Sequence, residues 1–479
     1  MGWLLLLLPV VLLLVPLFEY SENLHTSEET TSWERVTLGV RTFWPEPTSS
    51  LFDVSDWQID TNVPLGSAVL FAIPNLFDLQ AVFWCRLFAA LAAVLATLGL
   101  YRLLEPEVGG LAAALGAIWP WTVPAFCRGA VVSGEETLCT AAIVLAVLGL
   151  VEGRRWLILS ALAANAMVLV RLDAAIVLPG YALLALALLP RRKALLMSGL
   201  SGLSILLHLA VTWATTGHPL TFAMTARRVT AATSAGGAEL TAGGYVELLG
   251  KDLGSPWVLA LAFAGAVLLL WRGGRRSRAL AFMALWVAFA YGVVGLNGTI
   301  KLGFARYLVP TLVLLAACAG GVFGVVAGRW RTALPVLGAA TIGWTFHSAV
   351  PVVQRQAEEA RLAHGVEGGA HWLAACGEEV TVLVTDNPFA FSVLGPLRPE
   401  RVVRVQTEFT NAEPMSLLDQ LQAPDVRYLA IVGSGPVEQL VREARAPGWR
   451  FVWQEHAVTI YARVDEAEQE RLLTCSRWD

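Results

Sequence analysis

Apolar residues in this chain gather into long blocks, and the blocks set its expected architecture. Over the first 350 positions they run for about 17–22 residues each and are separated by short polar stretches. That length crosses a ~30 Å hydrocarbon core as a helix. Lipid offers the backbone no hydrogen-bond partners, so such blocks must be helical. About eleven spans are expected, at 3–18, 80–101, 109–126, 138–151, 155–170, 174–189, 194–214, 255–271, 279–296, 306–326 and 332–350. The segment 63–77 is apolar but short and holds two prolines, so it reads as a re-entrant or interfacial piece. The first block is read as a retained helix and not as a cleaved signal peptide. No Lys or Arg precedes it, and Phe18, Glu19 and Tyr20 follow where a small-x-small cleavage pattern would stand.

After Pro351 the pattern changes to mixed polar sequence. Stretches 380–386, 401–406 and 426–433 read as strands, 415–422 and 436–444 as helices, and 449–464 as a closing hairpin. Alternation of this kind predicts a small α/β domain over 351–479. No Gly-rich phosphate loop opens its helices, which favours a support or acceptor-recognition module. Cys376 and Cys475 both fall here: they pair in an oxidising compartment or stay as two free thiols, and spacing leaves both readings open. The expected fold is therefore a mainly α, polytopic membrane helix bundle over 1–350, followed by that domain.

Composition agrees. The chain has 479 residues, 56% hydrophobic and 15% charged, against 45–50% and ~25% for soluble domains. The net charge of −4 points to no nucleic-acid partner. Basic residues orient the bundle. With the N-terminus cytoplasmic, the inward loops hold Arg102, Arg154, Arg155, Arg191, Arg192, Lys193, Arg272, Arg275, Arg276, Arg278, Arg329 and Arg331; the outward ends hold Arg86, Arg128, Arg171, Lys301 and Arg306. Loops 19–79 and 215–254 and the C-terminal domain then lie outside together.

Candidate chemistry collects on that outward face. The first loop carries Glu28, Glu29 and Glu34, then Asp53, Asp56 and Asp60. Arg128, Glu135 and Glu136 follow in the next outward stretch, Arg171 and Asp173 sit at a break between spans, and Lys301 and Arg306 bracket KLGFARY. Ionisable groups at membrane depth usually face a cavity or a partner. Cations there suit a phosphate, and a carboxylate suits proton removal. Each has a plainer reading: Glu28 and Glu29 on a solvated helix face, Glu135 and Glu136 favoured by a helix N-terminus, Arg306 anchored at the interface beside Tyr307. His208, His218 and His347 are scattered singly and read as structural.

The order of these features resembles the C-type (GT-C) superfamily of membrane glycosyltransferases with polyprenyl-phosphate sugar donors, among them dolichyl-phosphate-mannose mannosyltransferases and aminoarabinose transferases. SEETTSW (27–33) is similar to the acidic motif of that family's first outward loop, and VPLGSAVLFAIPNLF (63–77) to the segment after it. CRLFAALAAVL (85–95), RGAVVSGEETL (128–138), RLDAAIVLPGY (171–181), TGHPLTF (216–222) and ARYLVPTLVLLAACAG (305–320) resemble later stretches in order. The resemblance implies transfer of a sugar, with inversion, to a lipid, glycan or protein acceptor at the outer face of a bacterial inner membrane. It implies Glu28 as general base, with Glu29 or Asp60 as substitutes, and Arg128, Arg171, Lys301 and Arg306 on the donor phosphate. It leaves metal use open, with Glu135 or Glu136 beside Glu28 as the ligand set for a divalent cation (Mg2+ or Mn2+). One departure stands out: the leading acidic position is usually Asp, and here it is Glu28. That keeps a non-catalytic scaffold in view. A transporter or flippase is the other rival, yet it should show internal repeats or mid-span charges, and the sequence has neither.

Overall fold

The computed structural model describes residues 6–7, 11, 81–131, 135–216, 240–297, 305–329, 333–376, 381–384, 402–404, 421–432, 448–456 and 458–475. The chain divides into two compact units, the first reaching Val353 and the second continuing from Gln354.

In the first unit the helices are α1 (Ala81–Val108), α2 (Gly110–Ile118), α3 (Pro124–Val131), α4 (Glu135–Glu152) and α5 (Trp156–Val170). They continue with α6 (Leu178–Leu188), α7 (Arg191–Ser201), α8 (Leu203–Thr216), α9 (Ala242–Asp252), α10 (Pro256–Arg272), α11 (Arg275–Leu296), α12 (Val309–Arg329) and α13 (Ala333–Cys376). Among the described residues four helices are long and apolar enough to cross a membrane, or six if two bent pairs each count as one. That is fewer than the expected eleven. Part of the difference is length: α5 has 15 residues, about 22 Å at 1.5 Å per residue, short of a ~30 Å core. Most of 3–18 and all of 63–77 lie outside the described residues.

Three expectations are corrected. The span at 109–126 is bent by 81°. After the 3-10 turn Trp119–Thr122, Val123 is extended (φ −86°, ψ 111°), as suits a residue before proline, and Pro124 opens α3. The loop 215–254 is not wholly a loop, for its last part is α9, capped by Thr241, whose hydroxyl accepts from Gly244 N at 3.0 Å. Tyr245 and Leu249, four apart on one face, are buried, and the Tyr245 hydroxyl donates to Ala288 O at 2.7 Å. Finally, α13 does not stop at Pro351 but runs to Cys376. Gln354 to Ala363 are nearly all strong helix formers, which restart the ladder beyond the one bond proline removes.

Exposed tryptophans sit at both ends of α10: Trp257 is 84% exposed and Trp271 70%. Fourteen residues apart, they stand about 21 Å from each other, as interfacial anchors do. The Arg272 guanidinium lies 5.0 Å from the Trp271 ring centroid. Inside, α12 packs against α1, α2, α10 and α11, and two polar pairs bridge helical segments. Trp121 Nε1 donates to Thr97 Oγ1 at 3.0 Å, and Ser160 Oγ lies 2.8 Å from the Tyr181 hydroxyl.

Small residues permit these approaches, as is usual between helices in lipid. A Cβ added at Gly265 of α10 would collide with the Cys318 carbonyl of α12, whereas one at Gly328 would meet nothing within 4 Å. Gly265→Ala should therefore cost about 1–3 kcal/mol through overpacking, and Gly328→Ala should be neutral or slightly stabilising. Melting curves of the two variants in detergent check the contrast; equal melting would remove the close-approach account.

The second unit holds a five-stranded sheet in the order β2-β1-β3-β5-β4. Its strands are β1 (Thr381–Val384), β2 (Val402–Arg404), β3 (Val426–Val432), β4 (Trp449–Glu455) and β5 (Val458–Arg463), followed by helix α14 (Glu466–Cys475). β1 is parallel to β2 and β3, while β5 is antiparallel to β3 and β4. Alternate residues Tyr428 and Ala430 of β3 and Ile460 and Ala462 of β5 pack with Trp372 and Leu373 of α13 and Leu472 of α14. Cys376 and Cys475 form a disulfide that closes α14 onto the end of α13, Cα to Cα 6.0 Å.

Candidate functional site

The site begins where α5 ends. Arg171 leaves the helical region (φ −141°, ψ 114°), although its N–H still reaches Met167 O at 3.0 Å. Its carbonyl accepts from Ala174 N at 3.0 Å, which opens the 3-10 turn Leu172–Val177 with Asp173 in its first turn. This break carries a cation and a carboxylate two residues apart into an otherwise apolar bundle.

The Arg171 side chain is only 5% exposed, and all three of its guanidinium nitrogens are engaged. Nε donates to Asp173 Oδ1 at 3.0 Å and Nη2 to Oδ2 at 2.8 Å, a two-point fork. Nη1 lies 2.9 Å from Glu136 Oε1, in the first turn of α4. The Tyr291 hydroxyl of α11 donates to Asp173 Oδ2 at 2.9 Å, and the Tyr307 ring, just before α12, stands 5.2 Å from the guanidinium carbon. Four helical segments thus meet on one buried cation. Such a cluster is costly to desolvate, and its favourable energy depends on every partner being in place.

Both ends of the bundle can be read from ion pairs. Glu152, at the far end of α4, pairs with Arg276 in the first turn of α11 at 2.7 Å, and Arg275 Nη2 donates to Leu188 O at 3.0 Å. Following α4 and α11 to their other ends leads to Glu136 and Tyr291. The Arg-rich end and the Arg171 cluster therefore lie at opposite ends of the helices.

Of the residues singled out from sequence, Arg171 and Glu136 are brought together directly. Arg128 is in the last turn of α3, which packs against α1, α4 and the turn Ala305–Leu308, so it shares that end. Glu135 adjoins Glu136 in the first turn of α4, where the helix dipole favours both. The backbone of Arg306 lies in the turn Ala305–Leu308. Glu28, Glu29, Asp60 and Lys301 lie outside the described residues.

Asp173 was named from sequence only as a charge beside Arg171, with no role assigned, and Tyr291 was not singled out. The Arg-x-Asp spacing was visible; the Tyr291 partnership, 118 residues away, carried no local signal. Arg86, read only as a loop-end charge, is 1% exposed in the second turn of α1. Among the described residues no three His, Cys, Asp or Glu side chains gather as a metal site, and Glu136 is engaged by Arg171.

No protein-family model and no curated protein matches the chain. Solved structures are similar to it. One is ArnT from Cupriavidus metallidurans bound to undecaprenyl phosphate, with a TM-score of 0.63 at 12% identity, covering 97% of this chain and 98% of that one. The apo state of the same protein gives 0.62 at 13% identity, covering 100% and 99%. The Archaeoglobus fulgidus oligosaccharyltransferase in complex with Zn and sulfate gives 0.52 at 13% identity, covering 97% and 73%. These are membrane glycosyltransferases of the C-type superfamily, and the present chain has their fold, GT-C.

Proposed function

We propose that the chain is a membrane glycosyltransferase that moves a sugar from a polyprenyl-phosphate or diphosphate donor to a hydroxyl of a lipid, glycan or protein acceptor. The observation that carries this reading is the end-to-end likeness in fold to a protein bound to undecaprenyl phosphate. It is supported by the gathering of Arg128, Arg171, Glu135 and Glu136 at one end of the bundle, away from Arg275 and Arg276. On this reading the Arg-rich end is cytoplasmic, and the site and the C-terminal domain face outward across a bacterial inner membrane.

Glu28, or Glu29 or Asp60 in its place, takes the proton of the acceptor hydroxyl. The freed oxygen attacks the anomeric carbon from the face opposite the phosphate, so configuration inverts. The glycosidic electron pair leaves on the phosphate oxygen, where Arg128, Lys301 and Arg306, together with Arg171, stabilise it.

The test is transfer of radiolabelled sugar from polyprenyl-phosphate donors in purified membranes. Wild type should transfer, and Glu28→Gln at equal membrane level should fall by at least about 100-fold. Selective loss in Glu29→Gln or Asp60→Asn would move the base to that residue. A wild type that neither transfers nor binds any donor would replace the reading by a transporter or a non-catalytic scaffold.

A further inference from the structure

Arg171 enters the reading above as a phosphate ligand, yet its guanidinium is already engaged on three nitrogens. We infer that Glu136 is the exchangeable partner: it stands on Arg171 where the donor phosphate will bind, and it leaves when the phosphate arrives. The inference deepens the proposed function and rests on it.

The two carboxylates hold Arg171 in different ways. Asp173 grips Nε and Nη2 through both oxygens, from two residues away on the same turn. It is fixed from behind by the Tyr291 hydroxyl, so it cannot leave without unpicking the turn. Glu136 reaches Arg171 at Nη1, from a different helix. Its side chain is 14% exposed, that of Asp173 17% and that of Arg171 5%. Both carboxylates are thus more open than the cation, and it is the manner of grip that separates them. The longer stem of Glu136 can swing outward while its backbone stays in the first turn of α4, where a negative charge remains favoured.

Charge forbids the alternative of simple addition. A phosphate placed against Arg171 with both carboxylates still bound would meet two like charges at short range, in a medium that screens them poorly. Exchange removes one of them and frees the Nη1 donors for a charge-assisted bond to phosphate oxygen. Before the donor arrives, Glu136 keeps the bundle from holding a half-compensated buried cation. Glu136 therefore acts as an internal competitor that sets donor affinity.

The experiment is binding of undecaprenyl phosphate, with undecaprenol as the phosphate-free control, to the full chain in lipid nanodiscs. Glu136→Gln keeps the side chain's size and an oxygen acceptor for Nη1, so the fold is retained and a melting curve verifies it. It should bind undecaprenyl phosphate about tenfold more tightly than wild type, in the usual range of such couplings, with undecaprenol unchanged. Glu136→Asp, whose shorter reach weakens the contact, should show a smaller gain. In an Arg171→Gln background the gain from Glu136→Gln should vanish. Unchanged or weaker binding by both Glu136 variants, or an equal gain for undecaprenol, overturns the exchange. Wild type that binds the two lipids equally sinks the donor reading as well, whereas phosphate-selective binding indifferent to Glu136 sinks the exchange alone.

Discussion

Arg171→Leu is expected to destabilise the helix bundle by about 3–5 kcal/mol, since breaking a buried pair leaves uncompensated charge behind. Here two carboxylates are left, Glu136 and Asp173, both bound to the lost guanidinium and both largely shielded from water. The Tyr291 hydroxyl still donates to Asp173, but one neutral donor does not replace three cationic contacts. Arg171→Lys should fall between wild type and Leu, because an ammonium keeps the charge and loses the fork to Asp173. A triple change, Arg171→Leu with Asp173→Asn and Glu136→Gln, should recover much of the loss, because removing all charges together strands none of them. Tryptophan-fluorescence melting in detergent is the measurement. An unchanged melting temperature for Arg171→Leu would show that the cluster does not tie the helices as drawn.

The second large effect concerns the disulfide. Cys376 and Cys475 are 99 residues apart, and closing a loop of about 100 residues restricts the unfolded chain by roughly 4.7 kcal/mol on the chain-entropy account. Cys475→Ser, or reduction of wild type, should free α14 from the end of α13 and expose Leu472 and Trp372, which that helix and sheet bury. Limited proteolysis should then cut after β5 far faster, and reductant should add nothing to the Cys475→Ser pattern. Thiol labelling of denatured protein, isolated under alkylation, gives an independent check: Cys127, Cys139 and Cys318 should label as free thiols and Cys376 and Cys475 only after reduction. Both labelling beforehand would mean that the bridge is not formed. A stable bridge also fits an oxidising compartment, in line with the outward placement proposed for this unit.

The apolar helices and the strands were legible because their signal is local. Blocks expected at 155–170 and 255–271 appear as Trp156–Val170 and Pro256–Arg272, and the stretches 426–433 and 380–386 as Val426–Val432 and Thr381–Val384. A run of apolar residues states its own length, and β-branched alternation its own periodicity. The bends at Val123 and between α9 and α10 were less legible: a Pro marks a break, but its angle depends on what the two arms pack against. The length of α13 was not legible from hydropathy, because an apolar block ends at 350 while the polar helix formers after Pro351 carry the same helix on to Cys376.

Local sequence was enough for the class of fold, the helical blocks, the strands and the gathering of charge near span ends. It could also order short motifs into a resemblance to GT-C enzymes, which the fold likeness supports. It could not pair the charges. Arg171 was singled out as a phosphate ligand, with nothing nearby in sequence to reveal that Glu136 and Tyr291 converge on its cluster from 35 and 120 positions away. Composition encodes which segments leave water, a property of each segment alone. Which carboxylate meets which guanidinium depends on how those segments cross, and that is a property of the packed bundle.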